Sequence, residues 1–412
     1  MKKVLILLLS LAFVFTLAAC RDDDEETFRG VTDTTIKVGN TAATSGGFAS
    51  VGVPFNAAIE GYFDMVNDAG GIAGREIEFI HYDDEFDGSQ GLTYTQELVE
   101  EDRVFALVGH FGTPTVGATR DYLNTIGIPR VYYATGISEL FNPRAEGNAR
   151  SSFPVQPIYD AEGEVMVARA YDEYDAENIG VIYTNADDGR GMMNGINLRA
   201  ADLGINLITR QVDPGSADYS SAANALVDAD VDAIIVAANQ VPADVAVKAL
   251  HAAGNEKPVF TSYVNADASW LAGVGDEVQA EQFNMYASAW VNIFEEDGDF
   301  VPGYLEFAEQ VPDYADNAFA MAGWIAAHFF VTGLERVGED ELTWDSFIDA
   351  MESAPIDNPM GGIVDYADGA RVGTQSMALL LATATYDEEE EEWVYEWTNH
   401  RPIDTISNII GE

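Results

Sequence analysis

The chain holds a single cysteine, Cys20, among 412 residues. No intramolecular disulfide framework and no Cys-rich zinc site can form. Lysine is nearly as scarce: beyond Lys2 and Lys3 only Lys37, Lys248 and Lys257 occur. Lys and Arg total 20 against 70 Asp and Glu, a formal charge of −50. Nucleic acid is therefore not expected as a partner, because phosphate binding needs clustered positive charge. The five histidines, His81, His110, His251, His328 and His400, stand at no ligand spacing. G-x-S-x-G, H-E-x-x-H and GxxxxGK[ST] are missing as well. No catalytic residue, metal or cofactor is expected on these grounds. Two acidic runs, 81–85 and 387–392, could bind a cation. The plainer reading is solvated carboxylates at a strand end and in a turn.

What is present is core material. Hydrophobic residues make up 47% of the chain and aromatics 11%. High charge is thus not accompanied by the low hydrophobicity that disorder requires. The acidity reads either as a face for cations or basic partners, or as a solvated surface suited to salty or alkaline surroundings; the second is favoured. Residues 1–20 read as a secretory leader: Lys2 and Lys3, an apolar run too short to span a bilayer, then Leu17-Ala18-Ala19-Cys20. An acidic tether at 21–34 should be extended and mobile.

From residue 35 strand and helix alternate. Apolar β runs at 35–38, 76–81, 104–108 and 128–133 are separated by helical spacing at 55–67, 92–101 and 115–125. The pattern restarts with a helix at 161–174. Strands at 179–183, 206–211, 233–238 and 259–262 follow, interleaved with helices at 192–203, 220–228 and 241–253. Two runs of βα units predict an α/β fold of two doubly wound parallel sheets, each covered by helices on both faces. The apolar stretch 318–334 reads as part of a buried core helix over 317–337, because it carries His328 and two glycines between acidic flanks. A helix at 344–352 and hairpin strands at 374–386 and 393–397 complete the reading.

Ligands of open α/β sheets bind beyond the carboxyl ends of the strands. In the first half those loops are NTAATSGGFASVG at 40–52, with Phe48 at core or lip, GHFGTPT at 109–115, with Gly112 and Thr113, and ATGIS at 134–138, with Ala134, Thr135 and Gly136. Small and hydroxylic residues let backbone N–H groups approach an anion at a helix start, which points to a carboxylate. In the second half TNADDGRG holds Asp188, ANQVP holds Asn239 and Gln240, and SYVNAD holds Tyr263. This half suits a polar or cationic group.

At these loops the sequence resembles the leucine/isoleucine/valine-type solute-binding proteins of ABC importers. The matching stretches are Ile36-Lys37-Val38-Gly39, Asn67-Asp68-Ala69-Gly70-Gly71-Ile72-Ala73-Gly74-Arg75, Tyr82-Asp83-Asp84, Val108-Gly109 and Ala134-Thr135-Gly136. The run from Gly112 through Tyr122-Leu123-Asn124 is similar to a branch that includes binders of aromatic acids. The resemblance implies the type I periplasmic-binding fold: two lobes joined by hinge strands, at 35–155 with 286–355 and at 156–285 with 356–412. It implies a lipobox, with lipid on Cys20 and a place on the outer face of the cell membrane. It implies a monomer that closes on a small carboxylate-bearing solute and delivers it to permease subunits, without being an enzyme. Thr113 then sits where a hydroxyl holds the carboxylate, and Ala134 and Gly136 where its polar end is held. Val51 stands where an aromatic wall is common, Asp188 where a stacking Tyr is common, and the neighbourhood of Tyr263 and Val264 lacks the acid that takes an ammonium. Asp188 or Asp267 could replace it. Two other classes remain open: a sensor of the same fold, and an extracellular hydrolase with a carboxylate pair in the cleft.

Overall fold

The computed structural model describes residues 26–294, 300–388 and 391–411. The leader, Cys20 and the first residues of the tether lie outside them, as does the centre of the 387–392 turn.

The first lobe is built from β1 (Thr35–Ala42), α1 (Ala49–Asp68), β2 (Glu76–Asp83), α2 (Gly88–Glu100), β3 (Ala106–Phe111), α3 (Thr113–Ile126), β4 (Arg130–Ala134) and β5 (Ser152–Phe153). Its five strands pair in parallel in the order β2-β1-β3-β4-β5. Helices cover both faces, so β3 is buried along its whole length and reads as an unbroken apolar run.

The second lobe begins with α4 (Tyr159–Tyr174), β6 (Asn178–Thr184), α5 (Asp187–Leu203), β7 (Asn206–Val212), α6 (Ser220–Val227), β8 (Ala233–Ala237) and α7 (Val241–Ala252). It continues through β9 (Val259–Thr261), α8 (Ala268–Gly273), α9 (Gly275–Gln279) and β10 (Met285–Ala289). The chain then returns to the first lobe with α10 (Pro302–Gln310), α11 (Ala318–Val337) and α12 (Trp344–Glu352). After a short ribbon of β11 (Ile356–Asp357) and β12 (Ile363–Val364), it ends on a long hairpin, β13 (Ser376–Asp387) and β14 (Glu392–Thr405), and α13 (Ile406–Ile410). The second sheet runs β14-β13-β10-β9-β8-β6-β7, antiparallel only where β13 joins.

α11 is long and apolar enough to cross a bilayer, yet 72% of its most apolar stretch is buried in the protein. It lies directly on α1: a Cβ on Gly323 would stand 2.0 Å from the Phe55 carbonyl oxygen. Buried Trp324 meets Tyr62 edge-on at 4.5 Å across that seam.

Four differences from the sequence reading have physical causes. The tether is folded from Glu26 onward and not extended to 34. Phe28 packs edge-on against Phe105 and Trp344, Val31 is buried, and Glu26 pairs with Arg103 at 2.8 Å. β10 pairs with β9 and β13, so the crossover to the first lobe follows Ala289 and does not precede Tyr286. β14 runs on through Asn399, His400, Arg401 and Pro402, residues that read as a strand end. Its place at the sheet edge leaves one row of backbone groups unpaired, so polar residues and a proline cost little there. Finally, several helices start earlier than their apolar stripes. α1 begins at Ala49 and passes through Pro54, and α5 begins at Asp187 and not at 192.

Candidate ligand-binding cleft

Three chain segments join the lobes, at 153–158, 289–292 and 371–375. They are tied together: the Thr374 N–H and hydroxyl both donate to the Val155 carbonyl, at 2.6 and 2.7 Å. Buried Arg371 donates to Glu352 and to the Arg150 carbonyl, and lies 4.5 Å from the Phe153 ring centre. The cleft lies beyond the carboxyl ends of β1, β3 and β4 on one side and of β8 and β9 on the other.

The lobes already meet across it. The Asp267 Oδ1 caps α8 through the Ser269 N–H at 2.9 Å, while its Oδ2 accepts the Ala318 N–H at the start of α11, in the other lobe, at 3.1 Å. Ser138 donates to Asp160 beside the hinge. A Cβ on Gly117 of α3 would lie 3.6 Å from the Asp187 carboxylate of α5. The cavity between the lobes, still open to solvent on one side, has a volume of about 760 Å³.

One end is polar. α3, α4 and α7 start at Thr113, Tyr159 and just after Gln240, all cavity-lining residues, and no side chain caps any of the three. The positive ends of the three helix dipoles therefore meet at this end; the Tyr159 N–H itself donates to the Gly136 carbonyl at 2.7 Å, so the N–H groups left for a ligand are others in the first turns. Thr113 and Thr135 share a hydroxyl hydrogen bond of 2.8 Å. The Asn239 amide donates to the Tyr159 hydroxyl at 3.0 Å, and its Oδ1 has no partner among the described residues. Burial, and then the Asp188 charge, push the Tyr159 hydroxyl up to about 12, so it stays a neutral donor.

The rest of the wall is apolar and held in place by polar groups behind it. Asp83 accepts the Thr44 N–H at 3.0 Å, fixing the loop that carries Phe48. Asp84 accepts the Thr115 hydroxyl at 2.6 Å and the Phe86 N–H at 3.0 Å, so burial raises its pKa while these bonds oppose the rise. Phe48 and Phe86 then stack at 3.7 Å. The Tyr-Asp-Asp run is a loop clamp. His81, beside it, bonds Asn40 and Thr44 at 3.0 and 2.9 Å, and no metal-like cluster forms among the described residues. Tyr132 donates to Gln156 at 2.9 Å, Gln156 donates to the Tyr263 hydroxyl at 2.9 Å, and that hydroxyl donates to the Pro157 carbonyl at 2.9 Å.

Three of these wall residues hold a left-handed backbone: Phe86 (φ 65°), Tyr132 (φ 63°) and Gln240 (φ 52°). Non-glycine residues adopt that region only where surroundings impose it, and such strain gathers at ligand clamps. Gln240 is held at three points: its N–H donates to Asn265 at 2.6 Å, its amide to the Val264 carbonyl at 2.6 Å, and its carbonyl accepts Trp270 Nε1–H at 3.0 Å. Tyr132 sits opposite Gly109 (φ 69°) in an unshifted β3–β4 register, so both residues of that pair hold a positive φ and the ladder is interrupted only there.

Of the residues singled out by sequence, Phe48, Thr113, Ala134, Asn239, Gln240 and Tyr263 line the cavity together. Gly112, Thr135, Gly136 and Asp188 do not. Gly112 is the N-cap of α3 at φ 90°, a conformation glycine reaches freely, and Thr135 stands behind Thr113. At Gly136 a Cβ would come within 2.7 Å of the Tyr263 hydroxyl, so no hydroxyl-bearing side chain fits. Asp188 accepts the Thr184 hydroxyl at 3.1 Å behind the wall, with its pKa raised by burial. Asp267 is occupied by its two helix ends and cannot serve an ammonium. Val51 lines the cavity, and the aromatic wall it lacks comes from Phe86 and Trp290. Those two, with Tyr132, Gln156 and Tyr159, escaped the sequence reading. The positive φ at Phe86 and Tyr132 has no sequence signature, and Trp290 lies in a crossing segment far along the chain. Among the described residues lining the cavity there is no Lys, Arg or His.

The family described as periplasmic binding protein matches residues 35–385. The Leu/Ile/Val-binding protein homolog 1 of Brucella abortus is 26% identical over 205 residues, 48% of this chain and 53% of the relative. The chain thus spans about half the length of that relative. Among solved structures, a branched chain amino acid ABC transporter from Thermus thermophilus with bound valine superposes with a TM-score of 0.76 at 16% identity, covering 91% of this chain and 98% of that one. A fatty acid ABC transporter substrate-binding protein from Thermomonospora curvata gives 0.75 at 20% identity, covering 94% and 97%. At such identities the structural likeness establishes the fold.

Proposed function

The chain belongs to the periplasmic binding protein family, and from that premise we propose that it captures a carboxylate-bearing apolar solute between its lobes and hands it to an ABC permease. The family and its similar structures are substrate-binding proteins and not enzymes, so the hydrolase alternative falls. The observation that carries the solute class is the pairing of an aromatic cavity with three uncapped helix starts at one end. With no cationic side chain lining the cavity, the carboxylate is held by backbone N–H groups of α3, α4 and α7 and by the hydroxyls of Thr113 and Tyr159. Ala134, Asn239, Gln240 and Tyr263 complete the polar end, and Phe48 closes it by stacking on Phe86. Closure desolvates these bonds, which makes each worth more than in water. Only the closed form then docks productively, a population shift set by the ligand's preference for that state. The leader is removed at Cys20, and lipid on its sulfur keeps the protein at the outer face of the membrane.

A thermal-shift screen of the chain from residue 21, at high salt, tests the reading with amino acids, their amides, aromatic acids and straight-chain acids. A ligand that binds only the folded state raises the melting temperature by mass action. The expected hits are carboxylates, unchanged after incubation, that lose at least tenfold in affinity in Thr113→Val. Amides binding as well as their acids would refute the carboxylate mechanism. Membrane partitioning that survives Cys20→Ser would refute the anchor.

A further inference from the structure

The cavity does not end at the polar pocket. Past Trp290 it continues between the start of α11, at Phe319, and the cavity-facing side of the terminal hairpin, at Ala378, Leu380 and Trp397. Charged groups appear there only as Asp316 and Glu396, and Glu396 is exposed. This arm is made by the paired hairpin strands, where Leu380 stands opposite Asn399 and Ala382 opposite Trp397.

The lobes already touch at Asp267–Ala318 and beside Ser138, so the cavity is that of a partly closed molecule. A leucine, with about nine heavy atoms at roughly the ~30 Å³ that a water occupies in the liquid, fills about a third of it. The remaining two-thirds would stay empty or hold water against aromatic walls, and neither gains the contact that affinity needs. With the carboxylate at the helix starts, the apolar lining continues along Trp290 toward the hairpin and gives the ligand body walls to pack against.

Resting on the carboxylate reading above, we propose that the natural solute is an elongated monocarboxylate. Its straight or aryl-alkyl chain reaches from the Thr113–Tyr159 pocket past Trp290 into the arm lined by Phe319, Leu380 and Trp397. The two acids at the arm repel a second carboxylate, so a dicarboxylate is excluded. A branched-chain amino acid leaves the arm vacant.

The test is a titration of the chain from residue 21 with the straight-chain acids from butanoate to dodecanoate, with valine and benzoate alongside. Binding is read by calorimetry and by the fluorescence of Trp290 and Trp397. Affinity is expected to rise about fourfold per added methylene until the arm is full. Leu380→Trp should weaken decanoate at least tenfold while leaving butanoate and benzoate unchanged, and Ala378→Leu, a smaller intrusion, gives the same sign should the first variant not fold. Valine or benzoate binding as tightly as decanoate, or a chain-length series unaffected by either variant, overturns the elongated ligand and leaves the carboxylate reading standing. Failure of every acid while an uncharged long-chain alcohol binds overturns the carboxylate reading, and this inference with it.

Discussion

Glu162 on α4 is a carboxyl buried in the second lobe with no cation beside it. It accepts the Tyr263 N–H at 2.6 Å and the Ser262 hydroxyl at 3.0 Å, and so holds the backbone of a cleft residue in place. Burial is the dominant influence on its pKa and these two bonds oppose it; the result is a pKa raised from 4.5 to about 8. The sign follows from linkage. Below pH 4.5 the group is protonated in both states and costs nothing. Between about 4.5 and 8 the unfolded chain ionises while the folded one keeps its proton, so stability falls as pH rises, and it levels off above the folded pKa. About 3.5 units at ~1.4 kcal/mol each give a loss of roughly 5 kcal/mol. That is a large part of the 5–15 kcal/mol a domain has in all. Glu162→Gln keeps an acceptor for Tyr263 and removes the titration. Denaturant unfolding at pH 5, 6.5 and 8.5 in about 1 M salt, where the Debye length is near 3 Å, compares the two. The other acids cancel between the proteins. The variant should gain on the wild type by several kcal/mol from pH 5 to 8.5. A difference that stays flat within 1 kcal/mol across that range refutes the reasoning.

Arg371→Met strips one cation from Glu352 and leaves the Arg150 and Tyr366 carbonyls without a donor; unfolding should lose about 3 kcal/mol, read as a lower denaturant midpoint. Asp267→Ala removes the N-cap of α8 and the bond to α11 together, costing about 1–2 kcal/mol and widening the ligand-free protein in small-angle scattering; an unchanged radius of gyration would show that the cross-lobe bond holds nothing shut. The charge of −50 predicts a melting temperature that climbs as salt rises from about 10 mM to 1 M, since the Debye length falls from ~30 to ~3 Å; a salt-independent transition would contradict self-repulsion as a main cost.

The sequence by itself determined the two βα runs, the buried reading of α11 and the loops that carry the site. Each depends on local patterning: unbroken apolar strands, a 3.6-residue stripe and small residues at strand ends. Periodicity also explains where the reading stopped short. The first turns of α1 and α5 bear glycines, aspartates and Pro54, with Gly52 and Gly189 packed tightly on neighbouring backbone, so no apolar stripe marks them. Only the tertiary structure decided which loops converge. Thr113, Asn239 and Trp290 come from three parts of the chain and meet because parallel strands of two sheets end at one crevice. The folded tether, too, exists only because Phe28 finds Phe105 and Trp344, partners remote in sequence. The positive φ angles at Phe86, Tyr132 and Gln240 go with hydrogen bonds to partners remote in the chain, as between Tyr132 and Gln156 and between Gln240 and Asn265. The hairpin arm exists because β13 pairs with β10, which sets the hairpin beside Trp290. Pairings between residues far apart in the chain have no signature in a single sequence, and here they set the reach of the cavity.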